Sequence, residues 1–247
     1  MTELAIIGGT GLTRLKNLKI ERREVMHTPY GEPSGALTFG DMYGEEIVFL
    51  ARHGYAHTIT PHMVNYRANL WALREIGVKR VIAVCAVGGI RDDMVPSTIA
   101  VPDQIIDYTW SRNHTFFETD LDEVTHIDFT EPYCPEMRQR LMDAATRAGV
   151  KIITSGTYGA TQGPRLETAA EIIRMERDGC DMVGMTGMPE AALASEVDLC
   201  YAALAVSANM AAGLGEGSIS MDMIEKNLKL GMDKVRLILE QLITNTR

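Results

Sequence analysis

Hydrophobic residues in this chain fall in short blocks bounded by glycines and polar turns, and their spacing alternates between two periods. Leu4 to Ile7 is a short apolar run entering Gly8-Gly9-Thr10-Gly11, which predicts a buried strand ending in a glycine turn. Residues 36–41 and 46–51 predict a hairpin with Gly44 in its turn, delivering Ala51-Arg52-His53-Gly54 at the end of the second strand. Met63, Tyr66, Leu70 and Leu73 recur at helical spacing, and Gly77 stops that helix. Arg80 to Ala86 is a buried strand running to Gly88-Gly89, and residues 98–106 predict another. A helix is expected over 135–148 and a strand over 151–160. Glu167 is expected to open a helix ending at Asp178-Gly179, ahead of a short strand over 181–185. Pro189 falls in the first turn of the next helix, where its missing N–H is not needed. Leu199 to Val206 is a buried strand. Ile224, Leu228, Val235, Ile238 and Leu242 share one face of a last helix, with Ser220 as its N-cap. Strands alternating with helices predict an α/β fold: a single domain over residues 1–247, with a central mixed β-sheet flanked by helices. Ligands in such folds bind at strand ends.

Composition narrows the function classes. The 247 residues are 46% hydrophobic and 23% charged, enough for a sizeable core. A net charge of -9 repels a polyphosphate, so no nucleic-acid partner is expected. No segment approaches the roughly 20 apolar residues of a membrane helix, so no membrane partner is expected. The start, MTELAIIGGTG, carries an early Glu3 and does not read as a signal peptide. The four cysteines, Cys85, Cys134, Cys180 and Cys200, show no metal-ligand spacing. Reduced thiols and a cytoplasmic location are the expectation.

Several strand ends carry groups suited to an anion or a nucleoside, and each also has an ordinary structural reading. The Gly8 to Gly11 turn can direct backbone N–H groups into one concavity, with the Thr10 hydroxyl beside them, or can simply be a turn. It is neither a dinucleotide fingerprint nor a Walker loop. Arg52 and His53 can both donate to phosphate oxygens, or be a solvated arginine beside a core histidine. His57 and His62 follow in the same loop and raise a metal alternative, but no carboxylate or cysteine stands at ligand spacing. Cys85, Ala86 and Met185 can be core residues, and Thr186 can donate its hydroxyl. Glu167 can serve the helix macrodipole, and Asn209 can be a turn residue.

Together these residues carry a resemblance. GGTGL, ARHG, NYRANLWAL, AVGGIRDDMVPSTIAVPDQIIDYT, TQGPRLET and VGMTGMPEAALA occur in that order, and the match spans about residues 4–240. The chain resembles the trimeric purine nucleoside phosphorylase and methylthioadenosine phosphorylase family. The resemblance implies that Thr10, Arg52, His53, Cys85, Ala86 and Thr186 hold phosphate. Cys85 departs from the Asn or Thr frequent in relatives, which weakens that side-chain contact. The resemblance places Met185 on the ribose, Leu166 where relatives carry a phenylalanine against the purine, and Glu167 and Asn209 as base readers. Glu167, Asn209 and His53 are the implied catalytic set. His126 matches a segment that closes the pocket of the neighbouring subunit in a homotrimer. No cofactor or metal is implied, and inorganic phosphate is the co-substrate.

The same resemblance separates substrates. A 6-oxopurine offers an N1–H donor and an O6 acceptor, which suit the Glu167 carboxylate and the Asn209 amide. In the adenine-specific branch a serine matches Glu167, and aspartates match Asn209 and Ala211; neither aspartate is present. Where inosine-guanosine phosphorylases carry a histidine for the 5'-hydroxyl, this chain has Met221, with Ile224 one turn on. An apolar pocket suits a methylthio group and leaves a hydroxyl unpaired. Met221 as plain helix packing is the competing reading. The expected reaction is phosphorolysis of S-methyl-5'-thioinosine in purine salvage. A general inosine-guanosine phosphorylase, a methylthioadenosine phosphorylase and a non-catalytic nucleoside-binding protein are the alternatives.

Overall fold

The computed structural model describes residues 2–12, 15, 17–119, 121–215 and 217–245. The chain opens with β1 (Leu4–Gly8), β2 (Lys19–Glu24), β3 (Leu37–Met42), β4 (Glu45–Ala51), α1 (Tyr66–Glu75) and β5 (Arg80–Gly89). It continues through β6 (Ile99–Ala100), β7 (Gln104–Asp107), α2 (Pro135–Arg147), β8 (Ile152–Ile153), β9 (Thr157–Ala160) and α3 (Ala169–Arg177). It closes with β10 (Met182–Gly184), α4 (Gly187–Glu196), β11 (Cys200–Met210) and α5 (Met221–Thr244).

The sheet is mixed, as expected. β1 runs parallel to β4 and β5, and β11 runs parallel to β5 along nearly its whole length. β10 crosses antiparallel to the end of β5, then β9 and β7 follow parallel to it. Side-chain alternation divides these strands between two cores. Ala5 and Ile7, Val81 and Ala83, and Tyr201 and Ala203 face a cluster with α1 and α4 residues such as Leu70 and Leu193. Leu4, Ile6, Ile82, Val84, Ala202 and Leu204 face the other cluster, with Leu141 of α2 and Val235 of α5. A strand buried on both faces reads as a continuous apolar run, which is why these segments stood out in the sequence.

The hairpin forms β3 and β4, and Tyr43 (φ 58°) and Gly44 (φ 87°) make its turn. Two positive φ angles match the twist of the flanking strands. Elsewhere the boundaries differ from expectation. Met63 belongs to a one-turn 3-10 helix, and α1 starts after Asn65, whose side chain accepts the Ala68 N–H. The stretch 98–106 is two strands, because Pro102 cannot continue a ladder. The stretch 151–160 breaks at Gly156, whose N–H donates to Asp103 Oδ1 at 2.7 Å. The last strand runs on to Met210. β2 escaped the sequence reading: KIERRE is a charged, exposed edge strand with no apolar alternation.

The cysteine expectation is overturned for one pair. Cys134 and Cys200 form a disulfide, while Cys85 and Cys180 are free. The Cys134 N–H donates to the Tyr201 carbonyl at 2.8 Å, which brings two residues 66 apart in sequence to a Cα–Cα distance of 5.1 Å. That separation lies in the range a disulfide requires, and sequence spacing does not reveal it. Among the described residues no helix is long and apolar enough to cross a membrane.

Candidate active site

The parallel strands β1, β4, β5 and β11 end on one side of the sheet. Their ends, with the loops after β9 and β10 and the start of α5, enclose a cavity of about 360 Å³. Thr10, Arg52, His53, Cys85, Ala86, Leu166, Glu167, Met185, Thr186, Asn209, Ala211, Met221 and Ile224 all line it. His126 does not; it is exposed in the segment between β7 and α2.

Arg52 anchors one end. Its guanidinium is buried, with Nε and Nη2 donating to the two oxygens of Glu190 at 2.6 and 2.7 Å. Nη1 donates to the Val84 carbonyl at 3.0 Å. Five N–H bonds are available to an arginine, so the second N–H on each terminal nitrogen remains for an anion. Burial by itself lowers the guanidinium pKa, but the Glu190 carboxylate outweighs it and holds the pKa above the ordinary value. Glu190, fully buried in α4, also accepts from Tyr201 Oη at 2.8 Å. The Gly8 to Gly11 turn passes directly over this arginine. A Cβ on Gly9 would lie 2.6 Å from the Val84 oxygen and 2.8 Å from Arg52 Nη1, so the close approach requires glycine.

His53 differs from its expected role as a donor. Its Nδ1 lies 2.8 Å from the Ile59 carbonyl, which can only accept, so Nδ1 carries the proton. Burial, reinforced by the Arg52 charge, pulls the His53 pKa down to about 4. Near neutral pH its Nε2 is therefore an acceptor. His57 places Nε2 3.2 Å from Thr10 Oγ1 and packs its ring edge-on against His53. Cys85 supplies no side-chain donor to the cavity: its thiol points to the Leu204 carbonyl at 3.8 Å, and burial pushes its pKa up to about 12. Only the backbone of Cys85-Ala86 is left to serve an anion there. The Thr186 hydroxyl is not used to cap α4, although Thr186 is its N-cap residue.

The other end is polar in a different way. Glu167 lies outside α3, because Thr168 and Glu171 form the capping box that starts the helix. One carboxylate oxygen of Glu167 accepts from Thr161 Oγ1 at 2.7 Å. Asn209 is not a turn residue. It lies within β11 at a bulge where Ala208 has no partner, and such an extra residue re-aims the side chain that follows. Its Nδ2 donates to the Met210 carbonyl at 2.7 Å, leaving Oδ1 and the second N–H. Met185, Ile219, Met221 and Ile224 supply apolar wall, while Leu166 and Met221 are largely exposed at the rim. Ser220 caps α5 as expected, accepting the Met223 N–H.

Sequence reasoning missed Glu190, Tyr201 and Thr161. Glu190 had a signal: a single carboxylate in the apolar run GMPEAALA must be paired if the helix is buried. Nothing marked its partner, 138 residues away.

The sequence profile of the phosphorylase superfamily matches residues 3–244. A probable S-methyl-5'-thioinosine phosphorylase from Pseudomonas syringae pv. tomato is 54% identical, over 99% of each chain. The 6-oxopurine nucleoside phosphorylase of Pyrococcus furiosus is 46% identical, over 97% of this chain and 91% of that one. Among solved structures, the methylthioadenosine phosphorylase of Schistosoma mansoni in complex with adenine superposes with a TM-score of 0.94 at 32% identity, covering 98% of this chain and 91% of that one. Strand-end architecture, cavity and whole-length similarity lead to one assignment: the chain belongs to the phosphorylase superfamily.

Proposed function

We propose that this chain is a pentosyltransferase that cleaves 6-oxopurine nucleosides with phosphate, S-methyl-5'-thioinosine in preference, giving hypoxanthine and 5-methylthioribose 1-phosphate. The observation that carries this reading is that one cavity holds both the Arg52 guanidinium and the Glu167 carboxylate. The first suits an anion and the second a purine N1–H. The activities named for the Pseudomonas and Pyrococcus relatives support it.

The roles follow from the atoms. Phosphate lies against the Gly9-Thr10 turn, the free N–H bonds of Arg52, the Ala86 backbone and the Thr186 hydroxyl. His53, neutral and with Nε2 unprotonated, accepts a hydrogen bond from a phosphate hydroxyl. Fixing the nucleophile near C1' removes much of the entropic barrier. A phosphate oxygen bonds to C1' as the C1'–N9 bond breaks, and the bond pair departs with the purine. Asn209, hydrogen-bonding at the purine, stabilises the charge that develops, while Glu167 accepts from N1–H. An aminopurine lacks N1–H and leaves Glu167 facing a lone pair, a buried mismatch worth about 1–3 kcal/mol. Met221, Ile224 and Ile219 receive the methylthio group, with no polar side chain among them to satisfy a 5'-hydroxyl.

The chain works as a single nucleoside phosphorylase domain without a metal or organic cofactor. It assembles as a homotrimer in which His126 approaches a neighbouring subunit's cavity. A cytoplasmic location fits a salvage reaction on free nucleosides. The test is a panel of inosine, adenosine and their 5'-methylthio analogues, assayed for base release with and without phosphate. The expected order places methylthioinosine first. Equal or better use of inosine removes the methylthio assignment, and preference for adenosine analogues removes the base assignment.

A further inference from the structure

Three loops follow the parallel strands β7, β9 and β10, and one guanidinium gathers them. Arg112, in the loop after β7, does not line the cavity. Its Nε donates to Gln162 Oε1 at 3.1 Å, and its Nη2 donates to the carbonyls of Thr161 and Gln162 at 3.1 and 2.8 Å. Its Nη1 donates to the carbonyls of Met185 and Met188 at 2.9 and 2.6 Å. Every N–H of the fork is thereby committed. The planar group lies near the ring of buried Tyr66, 5.7 Å from its centroid.

The identity of those carbonyls gives the contact its meaning. Met185 and Met188 flank Thr186. Thr161 is the residue whose hydroxyl holds Glu167 Oε1, and the same hydroxyl approaches the Gly184 carbonyl at 3.2 Å. One side of the guanidinium fork thus grips the loop that offers Thr186, and the other grips the loop that orients Glu167. The two loops also touch directly: Gly163 has φ 63°, and a Cβ there would lie 2.5 Å from Met185 Sδ. A lysine could not replace this geometry, because an ammonium has three N–H bonds and no rigid plane.

We propose that Arg112 is a positioning residue that fixes the base-reading loop relative to the anion-binding loop, coupling purine discrimination to phosphate affinity. This rests on the roles of Glu167 and Thr186 given under Proposed function. Arg138 provides an internal control. It also caps backbone carbonyls, those of Pro102 and Thr154 at 2.9 and 2.8 Å, but away from the cavity.

The experiment compares R112M, R112K and R138M with the unsubstituted protein. Three quantities are read: the melting temperature, KM for phosphate, and the ratio of kcat/KM for methylthioinosine to that for methylthioadenosine. R112M should raise KM for phosphate and lower the purine ratio together, each by about tenfold or more, since misplacements near 1 Å have such effects. R112K, which serves alone if R112M does not fold, should show both changes in weaker form. R138M should lower the melting temperature and leave both kinetic quantities within about twofold. Kinetic changes in R138M equal to those of the Arg112 variants, or no kinetic change in the latter, overturn the proposal. Glu167→Gln and Thr186→Ala separate the levels. If each moves only its own quantity while R112K moves neither, this inference alone fails. If Glu167→Gln leaves the purine ratio intact, the underlying base assignment fails and the coupling fails with it.

Discussion

The two ends of the cavity are built differently. At the anion end the side chains are fixed by partners deep in the fold. Arg52 is held by Glu190, Glu190 by Tyr201, and His53 by the Ile59 carbonyl. Arg52 and His53 directly follow the central parallel strand β4, Glu190 lies buried in α4, and Tyr201 lies in β11. At the nucleoside end Asn209 comes from β11, but the rim residues come from loops and from the first turn of α5. Leu166 and Met221 are 43% and 63% exposed. The anion end is therefore coupled to the core, so changing it disturbs folding as well as chemistry. The nucleoside rim can change residue by residue with little effect on the fold. A shared phosphorolysis chemistry with variable substrate choice follows from that division.

Changes at the anion end should be the most severe. Glu190→Ala leaves a buried arginine charge without its partner and should cost about 3–5 kcal/mol of stability, read from denaturant unfolding, along with most of the activity. Retention of near-normal stability would show that the core does not depend on the pair. At the other end, Glu167→Gln should keep the fold and shift the methylthioinosine-to-methylthioadenosine ratio toward adenine by about 1–3 kcal/mol. A smaller change is expected from Met221→His, which adds a polar partner for a 5'-hydroxyl. It should move the methylthioinosine-to-inosine ratio about tenfold toward inosine, without a measurable loss of stability, because the site is exposed.

Acid should disturb the two ends unequally, and by the least. His53 takes up its proton more readily unfolded, near 6.5, than folded, near 4. The unfolded state therefore binds more protons across that window, and stability falls as pH is lowered through it. Between pH 7 and pH 6 the loss should stay below about 1 kcal/mol. His53→Asn should flatten that part of the pH–stability curve, whereas a slope unchanged by the substitution would assign the titration to another group.

What could be read from the sequence follows the same division. β1, β5 and β11 were legible because burial on both faces leaves continuous apolar runs beside glycine turns. Thr10 and Cys85 stood out near the ends of β1 and β5 and Arg52 and His53 at the end of β4, whereas the roles of Leu166, Glu167, Met221 and Ile224 came from the family resemblance. Less visible were features fixed by long-range pairing. The charged edge strand β2 carries no periodic signal. The bulge that re-aims Asn209 depends on register with β5. The Cys134–Cys200 link and the Glu190 partner of Arg52 join segments far apart in sequence. The donor role expected of His53 failed for a related reason: the Ile59 carbonyl that sets its tautomer becomes apparent only once the loop is folded.

Phosphorolysis of a methylthiolated 6-oxopurine nucleoside stands or falls on hypoxanthine release from S-methyl-5'-thioinosine as phosphate is titrated. Release should be absent without phosphate, saturate with it, and yield one equivalent of 5-methylthioribose 1-phosphate per purine. Release that proceeds equally without phosphate, or no release at any phosphate concentration, would contradict it.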